Sequence, residues 1–318
     1  MDVSVVVCTY NRAQQLAEVL DTLARQEHAD NLEWELVVVD NNSKDETKRV
    51  VELFAERHPE IDVVYVFEAQ QGKSFALNTG VQTARGRIIA FTDDDVFVGD
   101  GWLQATYDAF EKLGCTVMAG RVRALWQRPK PQWLADMGSL RIAAAIVEYD
   151  HGDEAFRIAA EQRGIGANMA VRKDVFERCG LYRTDIGPTS KSLMRCEDSE
   201  LFERVIEAGE PAYYVPDAVI DHPVEEFRTE KSYFLRFYHG NARSRMRIDG
   251  VPDVPCIANV PRYLIRDAVG KFLRWQLTLS PSLRFQRKLH FWSQLGAIHE
   301  ARLINGEAQS MKLQSSAE

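Results

Sequence analysis

The stretch GRIIAFTDDD, residues 86–95, joins an apolar run directly to three adjacent aspartates. Apolar side chains on both faces are typical of a strand buried in a parallel sheet, and we expect such a strand over 86–92. Asp93, Asp94 and Asp95 follow that strand, and carboxylates held so close together repel one another unless a cation neutralises them. Such oxygen ligands suit Mg²⁺ or Mn²⁺. The alternative is a solvated acidic turn.

Three similar apolar runs come before this one, and segments with helical periodicity separate all four. Alternation of strands and helices at this rhythm predicts a mostly parallel sheet in a three-layer α/β fold. Ligands of such sheets bind beyond the carboxyl ends of the strands, so Asp40, which follows the second run, should share an edge with the three aspartates. The predicted strands are 4–9, 35–39, 62–68 and 86–92, and the predicted helices are 16–23, 45–54 and 76–84.

The pattern is less regular beyond Trp102, where short strand-like and helix-like segments alternate with polar loops. One of these loops, residues 187–195, has the composition of a mobile lid, in which Lys191 and Arg195 could clamp a phosphate. The expected elements are a strand at 168–171, helices at 173–179 and 197–208, and a mainly helical region from about Phe227, with breaks near 252–261 and 280–281.

The composition is that of an ordinary globular protein, with 45% hydrophobic and 27% charged residues among 318. The net charge of −8 disfavours a general nucleic-acid binder, and no apolar run approaches the roughly 18 residues of a membrane span. Five cysteines without a CxxC pair argue against a disulfide framework or a thiolate zinc site. The first residues lack the pattern of a signal peptide, so we expect a cytoplasmic protein.

The charge is unevenly spread along the chain. Residues 261–292 carry seven basic side chains against Asp267 as their single acid, and six aromatic side chains lie among them. Basic and aromatic amphipathic helices bind anionic membrane surfaces, which would place the protein at the inner face of a membrane. The alternative is a helical extension that packs on the rest of the protein, with its arginines facing water.

Four segments, in order and at matching spacing, resemble the family-2 glycosyltransferases, which have the GT-A nucleotide-sugar fold. The similar region runs from Ser4 to about His222. On this basis we expect a GT-A catalytic domain over 1–225 and a helical extension over 226–318. The nucleotide would bind the half over about 1–110, and the acceptor the half over 111–225. The four segments are SVVVCTYNR (4–12), VVVDNNS (37–43), QGKSFALNTGVQTARGRIIAFTDDDV (71–96) and CEDSELFERVIEAG (196–209).

The resemblance implies that the loop after the first strand, with Thr9, Tyr10 and Arg12, holds the nucleoside and the diphosphate of the donor. Asp40 is similar to the family aspartate that recognises the base. A carboxylate accepts the imide N–H of uracil or thymine, and equally the N–H groups of guanine, whereas the alternative role of Asp40 is that of a helix N-cap. Arg12 and Lys73 are the basic candidates for binding the phosphates.

Asp93 and Asp95 fit the DxD pattern of the family. In similar enzymes the last aspartate coordinates the metal that bridges the two phosphates, and the first contacts the ribose; Asp94 could serve in either place. The metal is needed because the nucleoside diphosphate develops negative charge as it leaves. His222 falls where similar enzymes have a histidine near the metal, and an imidazole suits Mn²⁺ better than Mg²⁺. A structural histidine is the alternative.

Gly166 and Asn168, together with Gly164, match the family segment that lines the donor-sugar and acceptor region, although they also suit a tight turn before a strand. Glu197-Asp198 resembles the acidic pair of the family, in which Asp198 is the general base that takes the proton of the acceptor hydroxyl. Two acids also stabilise a helix N-terminus through its dipole. Because that dipole lowers the pKa of a carboxylate, the basicity of Asp198 would require partial burial or the neighbouring Glu197.

The resemblance therefore implies an inverting transferase that uses Mn²⁺ or Mg²⁺. It would move a sugar from a nucleoside-diphosphate donor, linked to UDP or dTDP, to a hydroxyl of a saccharide or lipid-linked acceptor. One alternative is a nucleotide-sugar-binding or scaffold protein with the same fold and no turnover. A sugar nucleotidyltransferase is the other alternative, and it is disfavoured because residues 9–12, TYNR, do not form a glycine-rich phosphate loop.

Overall fold

The computed structural model describes residues 1–135, 143–159, 164–189 and 194–315, the side chains of 143–144 and 311–315 excepted. Contacts between residues group the chain into two units. The predicted division into a catalytic domain over 1–225 and a helical extension over 226–318 stays a prediction. The sheet unit comprises Met1–Gln127, Ile146–Thr184 and Glu197–Val224, and the helical unit comprises Arg128–Ala145, Asp185–Cys196 and Glu225–Glu318.

The first half of the sheet unit alternates strands and helices, as its apolar runs predict. Its four main strands are parallel and lie in the order β3-β2-β1-β4, so the helix after each strand returns the chain to the edge of the sheet at which the next strand begins. The α/β fold predicted from the sequence is confirmed. The elements are β1 (Val3–Thr9), α1 (Ala13–Leu23), β2 (Trp34–Asp40), α2 (Thr47–Arg57), β3 (Asp62–Phe67), α3 (Lys73–Thr83) and β4 (Ile88–Asp93).

The rest of the sheet unit extends the same sheet with mixed strand directions. β8 runs antiparallel between β4 and β6, and β9 then runs parallel to β6. Among the described residues the order is β3-β2-β1-β4-β8-β6-β9-β5, with β7 pairing beside β9. These elements are β5 (Phe97–Val98), α4 (Trp102–Leu113), β6 (Val117–Trp126), α5 (Gln132–Ala135), α6 (Ala143–Ile146), β7 (Phe156–Arg157), β8 (Asn168–Arg172), α7 (Lys173–Cys179), α8 (Glu197–Glu207) and β9 (Ala212–Val224), of which α5 and all of α6 except Ile146 belong to the helical unit.

The helical unit is built on three long helices, and the chain breaks between them where proline-containing segments predict breaks. Glu300 of α11 is fully buried and binds Arg243 and Arg247 of α9, so its charge is paired inside the unit. Within the described residues, no helix combines the length and hydropathy that a membrane span requires. The elements are a 3-10 turn (Glu226–Thr229), α9 (Lys231–Asp249), β10 (Cys256–Ile257), β11 (Val260–Pro261), α10 (Arg262–Gln276) and α11 (Pro281–Ser315).

Helix α3 begins earlier than its periodicity predicts, at Lys73 rather than Ala76. Gly72 precedes it with a φ of 146°, a conformation that side chains other than glycine rarely adopt. Within α3, a Cβ on Gly80 would lie 2.5 Å from Cγ1 of Val6, so this glycine lets the helix pack closely on β1. As a result, the first turn of α3 carries Lys73 to the carboxyl edge of the sheet.

A buried carboxylate ties the opposite edge of the sheet together. Glu35 of β2 is fully buried and accepts hydrogen bonds from the Ser4 hydroxyl at 2.5 Å, the Arg85 amide at 2.6 Å and the Arg85 Nε at 2.7 Å. The Gly86 amide donates to the same Ser4 hydroxyl at 2.7 Å. Burial alone would raise the pKa of Glu35, but the hydrogen bonds from Ser4 and Arg85 outweigh it and hold this pKa below its usual value.

Glu35→Gln removes the charge and keeps the shape of the side chain. We expect the free energy of unfolding at neutral pH to fall by about 1–3 kcal/mol, because hydrogen bonds to a charged acceptor are the stronger ones. A carboxylate with a lowered folded-state pKa stabilises above its unfolded-state pKa, and that contribution is lost as pH falls through the folded value. Urea unfolding of both proteins from neutral to acid pH should show that the difference between their free energies of unfolding becomes smaller. A constant difference down to strong acid would contradict this account.

Candidate functional site

The carboxyl ends of β1, β2 and β4 meet at one edge of the sheet, as their parallel order requires. Thr9 pairs with Asp40 across β1 and β2, and Cys8 pairs with Asp93 across β1 and β4. The two acidic segments that the sequence places after separate strands are therefore neighbours across a single strand. Thr9 and Asp40 are both buried at this edge.

The three aspartates form a largely buried turn, and two basic side chains pair with them. Arg12 Nη1 lies 2.9 Å from Asp94 Oδ1 and 2.6 Å from Asp95 Oδ2. Lys73 Nζ lies 2.7 Å from Asp93 Oδ1. Asp94 is buried and the other two are half-buried, so the solvated acidic turn considered above does not describe this segment. The basic residues expected to bind phosphates thus stand directly against the acids.

Burial and charge act in opposite directions on these groups. Burial raises the pKa of Asp94 to about 6 even though Arg12 lowers it. Burial would also raise the pKa of Asp93, but Lys73 outweighs it and the pKa lies below its usual value. Burial would lower the pKa of Lys73, whereas Asp93 and Glu197 raise it above its usual value. Lys73 therefore stays charged at neutral pH, and Asp93 stays ionised.

Three ligand-type side chains converge beside this turn. One ligand atom from each of Asp93, Asp95 and His222 lies within 4.8 Å of the other two, and His222 Nε2 is 3.6 Å from Asp95 Oδ1. His222 is 1% exposed, and its Nδ1 lies 2.9 Å from the carbonyl oxygen of Pro223. Since a carbonyl oxygen only accepts, Nδ1 must donate to it, and a neutral imidazole in this tautomer offers the lone pair of Nε2 to a cation beside Asp95. Two carboxylates and an imidazole fit a divalent cation such as Mn²⁺ or Mg²⁺.

The acidic pair at the start of α8 lies across a small cavity from this turn. Asp198 is half-buried and accepts the Gly166 amide on Oδ2 and the Ser199 amide on Oδ1, each at 2.7 Å. A Cβ on Gly166 would come within 2.9 Å of Asp198 Oδ2, so the close approach requires glycine here. Glu197 is buried. The cavity is lined by Cys8, Lys73, Leu77, Phe91, Thr92, Asp93, Gly166, Tyr182, Glu197 and Asp198.

Asp40 is held by contacts that the sequence does not reveal. The Ser43 amide donates to its Oδ1 at 2.8 Å, and the Tyr65 hydroxyl donates to its Oδ2 at 2.8 Å. Glu46, rather than Asp40, stands before α2, so Asp40 closes a turn and does not cap that helix. Tyr65 was missed because its place beside Asp40 follows from the register of β3 on β2.

Other predicted site residues lie away from the cavity. Asn168 is fully buried: its Oδ1 accepts the Trp102 indole N–H at 2.8 Å, and its Nδ2 donates to the carbonyl oxygens of Arg121 and Ala218 at 2.9 Å each. These contacts give Asn168 a structural task inside the sheet, and a contact with the donor is not supported by them. Tyr10 is exposed on the loop after β1, where stacking on a base stays a prediction.

The predicted lid over 187–195 is described only in part. Lys191 lies outside the described residues, so its expected contact with phosphate stays a prediction. Arg195 belongs to the helical unit, where its amide donates to the Ser244 hydroxyl at 2.8 Å and its guanidinium lies 5.1 Å from the centre of the Phe237 ring. These contacts hold Arg195 among the helices of that unit.

Comparison with known proteins supplies the family. The family model described as Glycosyl transferase family 2 matches residues 4–180. The glucosyl-dolichyl phosphate glucuronosyltransferase of Haloferax volcanii is 26% identical over 254 residues, which are 77% of this chain and 77% of that protein. The succinoglycan biosynthesis protein ExoM of Rhizobium meliloti is 25% identical over 249 residues, 77% of this chain and 75% of that protein.

Solved structures share the fold across nearly the whole chain. The mannosyltransferase PcManGT from Pyrobaculum calidifontis, in complex with GDP-Man and Mn²⁺, matches with a TM-score of 0.57 and 22% identity over 95% of this chain and 86% of its own. Residues 1–349 of S. aureus TarS, in complex with UDP-GlcNAc, match with a TM-score of 0.59 and 16% identity over 98% and 92%. At these identities the likeness shows the fold, which is that of GT-A glycosyltransferases.

Proposed function

The chain belongs to glycosyl transferase family 2, and we propose that it transfers a sugar, with inversion, from a nucleoside-diphosphate donor to a hydroxyl of a saccharide or lipid-linked acceptor. The observation that carries this proposal is the convergence of two acidic sets. Asp93 and Asp198 line one cavity, while Asp93 is also grouped with Asp95 and His222. A cation and a base side by side are what the displacement of a nucleoside diphosphate requires.

The nucleotide would bind across the edge formed by β1 and β2. Asp40 is the group that recognises the base, with its carboxylate oriented by Ser43 and Tyr65. Uracil and thymine each offer one imide N–H to such a carboxylate, so we propose UDP or dTDP as the nucleotide, with GDP also compatible. Arg12 and Lys73 lie beyond, and their positive charges suit the diphosphate. The complexes of two similar folds with GDP-Man and UDP-GlcNAc support a donor of this class.

Asp95 and His222 would hold the divalent cation, with Asp93 as a third side chain within reach. The imidazole favours Mn²⁺ over Mg²⁺. When bound, such a cation would act as a Lewis acid toward the negative charge of the departing diphosphate. Arg12 and Lys73, which pair with these aspartates in the protein itself, keep the acidic turn folded and supply positive charge to the same phosphates.

Asp198 would take the proton from the acceptor hydroxyl as its oxygen attacks the anomeric carbon of the sugar. The Gly166 amide donates to Oδ2 of this carboxylate, while the Ser199 amide and, at 3.4 Å, the Ser199 hydroxyl donate to Oδ1, so a lone pair of Oδ2 remains to accept a proton. One base acting in a single displacement inverts the configuration at the anomeric carbon. Asp198 is half-buried, which keeps it in reach of an entering acceptor.

Asp198→Asn and Asp198→Ala should each lower kcat about 10²- to 10⁴-fold, which is the usual contribution of a general base. The affinity for the donor, measured by calorimetry, should change by less than about threefold. The reason is that the charged diphosphate of the donor would contact Arg12, Lys73 and the cation rather than Asp198. Sugar transfer measured with Mn²⁺ and a panel of nucleoside-diphosphate sugars checks both values, and the exposed Asp217 offers a matched control as Asp217→Asn.

Full activity in the Asp198 variants would remove the assignment of the base. A wild-type protein that binds a donor but neither transfers nor hydrolyses it would support the alternative of a binding or scaffold protein.

We further propose that residues 261–292 contact the surface of a membrane, where a lipid-linked acceptor would be found. One relative is named for a dolichyl phosphate substrate, which supports an acceptor of this class. The aromatic side chains of this segment mostly contact one another, and Lys288 lies over Trp275 and Trp292. The turn between α10 and α11 instead presents Leu277 and Leu279, which are 77% and 95% exposed.

Basic residues flank this turn in the sequence of both helices. Lys271 and Arg274 precede the turn on α10, and Arg284, Arg287 and Lys288 follow it on α11. Exposed leucines flanked by positive charge match an anionic membrane surface, where apolar side chains enter the headgroup region and basic ones remain among the phosphates.

Leu277→Ser combined with Leu279→Ser should lower binding to vesicles of phosphatidylglycerol and phosphatidylcholine about tenfold or more, since two leucines lose apolar burial. Co-sedimentation of the full chain measures the bound fraction, with Leu53→Ser on α2 as an exposed-leucine control. Pure phosphatidylcholine should bind the wild type more weakly. Equal binding of the wild type and the double variant to the anionic vesicles would exclude this turn as the contact.

A further inference from the structure

Two residues that line the cavity, Thr92 and Tyr182, have buried hydroxyls that form no hydrogen bond among the described residues, and the larger of them is Tyr182. The side chain of Tyr182 is 3% exposed, and among the described residues no group forms a hydrogen bond with its hydroxyl oxygen. By contrast, the buried Tyr214 hydroxyl accepts from Arg121 Nε at 3.2 Å and donates to the Gly152 carbonyl at 3.2 Å. Buried polar groups in folded proteins are nearly always paired, so the Tyr182 hydroxyl points to a partner other than the described residues of the chain.

The position of this tyrosine is fixed from two sides. Its ring lies against Phe91 and Phe176, with centroids 5.7 and 5.8 Å away. The side chain of Asn78 on α3 donates to the Tyr182 carbonyl and accepts its amide, both at 2.9 Å. Because ring and backbone are both held, the Tyr182 side chain keeps its place in the lining of the cavity.

The charges around the cavity favour a neutral ligand group at this place. Asp93, Glu197 and Asp198 line it together with one cation, Lys73, which is already bound to Asp93. A carboxylate on the transferred sugar would be repelled by Glu197 and Asp198, which line the same cavity. Burial and the charges of Asp198 and Glu197 raise the pKa of Tyr182 well above its usual value, so the hydroxyl keeps its proton and can donate it.

We propose that the Tyr182 hydroxyl donates a hydrogen bond to a hydroxyl of the transferred sugar and thereby helps to select an uncharged sugar in the donor. The inference rests on the proposed glycosyl transfer, in which this cavity adjoins the cation and the base. A sugar hydroxyl is neutral, accepts such a bond, and would complete the pairing of a group that is otherwise buried without one.

The experiment first titrates the wild-type protein, with Mn²⁺, with UDP-glucose, UDP-galactose, UDP-GlcNAc, dTDP-glucose, GDP-mannose and the charged UDP-glucuronate. The tightest donor is then compared with its own nucleoside diphosphate in wild type and Tyr182→Phe. We expect the variant to bind the intact donor about tenfold more weakly and the nucleoside diphosphate with unchanged affinity. Among deoxy analogues of that donor, the one that lacks the contacted hydroxyl should bind both proteins equally.

Tyr214→Phe is the matched control, because it removes a buried hydroxyl that does have partners. It should lower the melting temperature and leave the ratio of donor to nucleotide affinity unchanged, whereas Tyr182→Phe should change that ratio and leave the melting temperature as it is. Two results would overturn the proposed role of Tyr182 and leave the proposed glycosyl transfer in place. One is equal affinity of wild type and Tyr182→Phe for the donor, and the other is a wild type that binds UDP-glucuronate most tightly. If the wild type binds no activated sugar, the proposed function fails, and this inference fails with it.

Discussion

The structure depends on a concentration of negative charge at the carboxyl edge of a parallel sheet. Three consecutive aspartates lie at the end of β4, and the acidic pair at the start of α8 lies across a cavity from them. Arg12 and Lys73 neutralise only part of this charge, and each does so from the first turn or loop after another strand. Carboxylates held this close are costly unless positive charge joins them, and this cost is the physical basis of the cation and phosphate site that we propose.

Close backbone packing in the surrounding fold holds these charged groups in place. Gly80 brings α3, and with it Lys73, against β1, while Gly166 lets its amide reach Asp198. At the other edge the buried Glu35 fixes the start of β1 and the approach to β4 through Ser4 and Arg85. The polar groups of the site therefore stand on strands and helix starts that small residues and buried hydrogen bonds hold in place, which suits a site whose geometry must be precise.

Much of the sheet unit could be predicted from the sequence, because its parallel strands are continuous apolar runs and its first helices are strongly periodic. The convergence of Asp40 with the three aspartates followed from strand order alone. Contacts set by register or by tertiary packing could not be predicted: the Tyr65 hydroxyl on Asp40, the Asn78 side chain on the backbone of Tyr182, and the burial of Asn168 inside the sheet. None of these pairs is close in sequence, and no local pattern marks them.

We propose that the acidic edge binds a divalent cation and a nucleoside diphosphate together. The most direct test is calorimetry of UDP and GDP binding in the presence of Mn²⁺ or of EDTA. The account predicts that Mn²⁺ tightens binding of the preferred nucleotide about tenfold or more, a coupling of ordinary size between two ligands, and that Asp95→Asn removes the difference. Equal nucleotide affinity in Mn²⁺ and EDTA, or an undiminished effect of Mn²⁺ in Asp95→Asn, would contradict it.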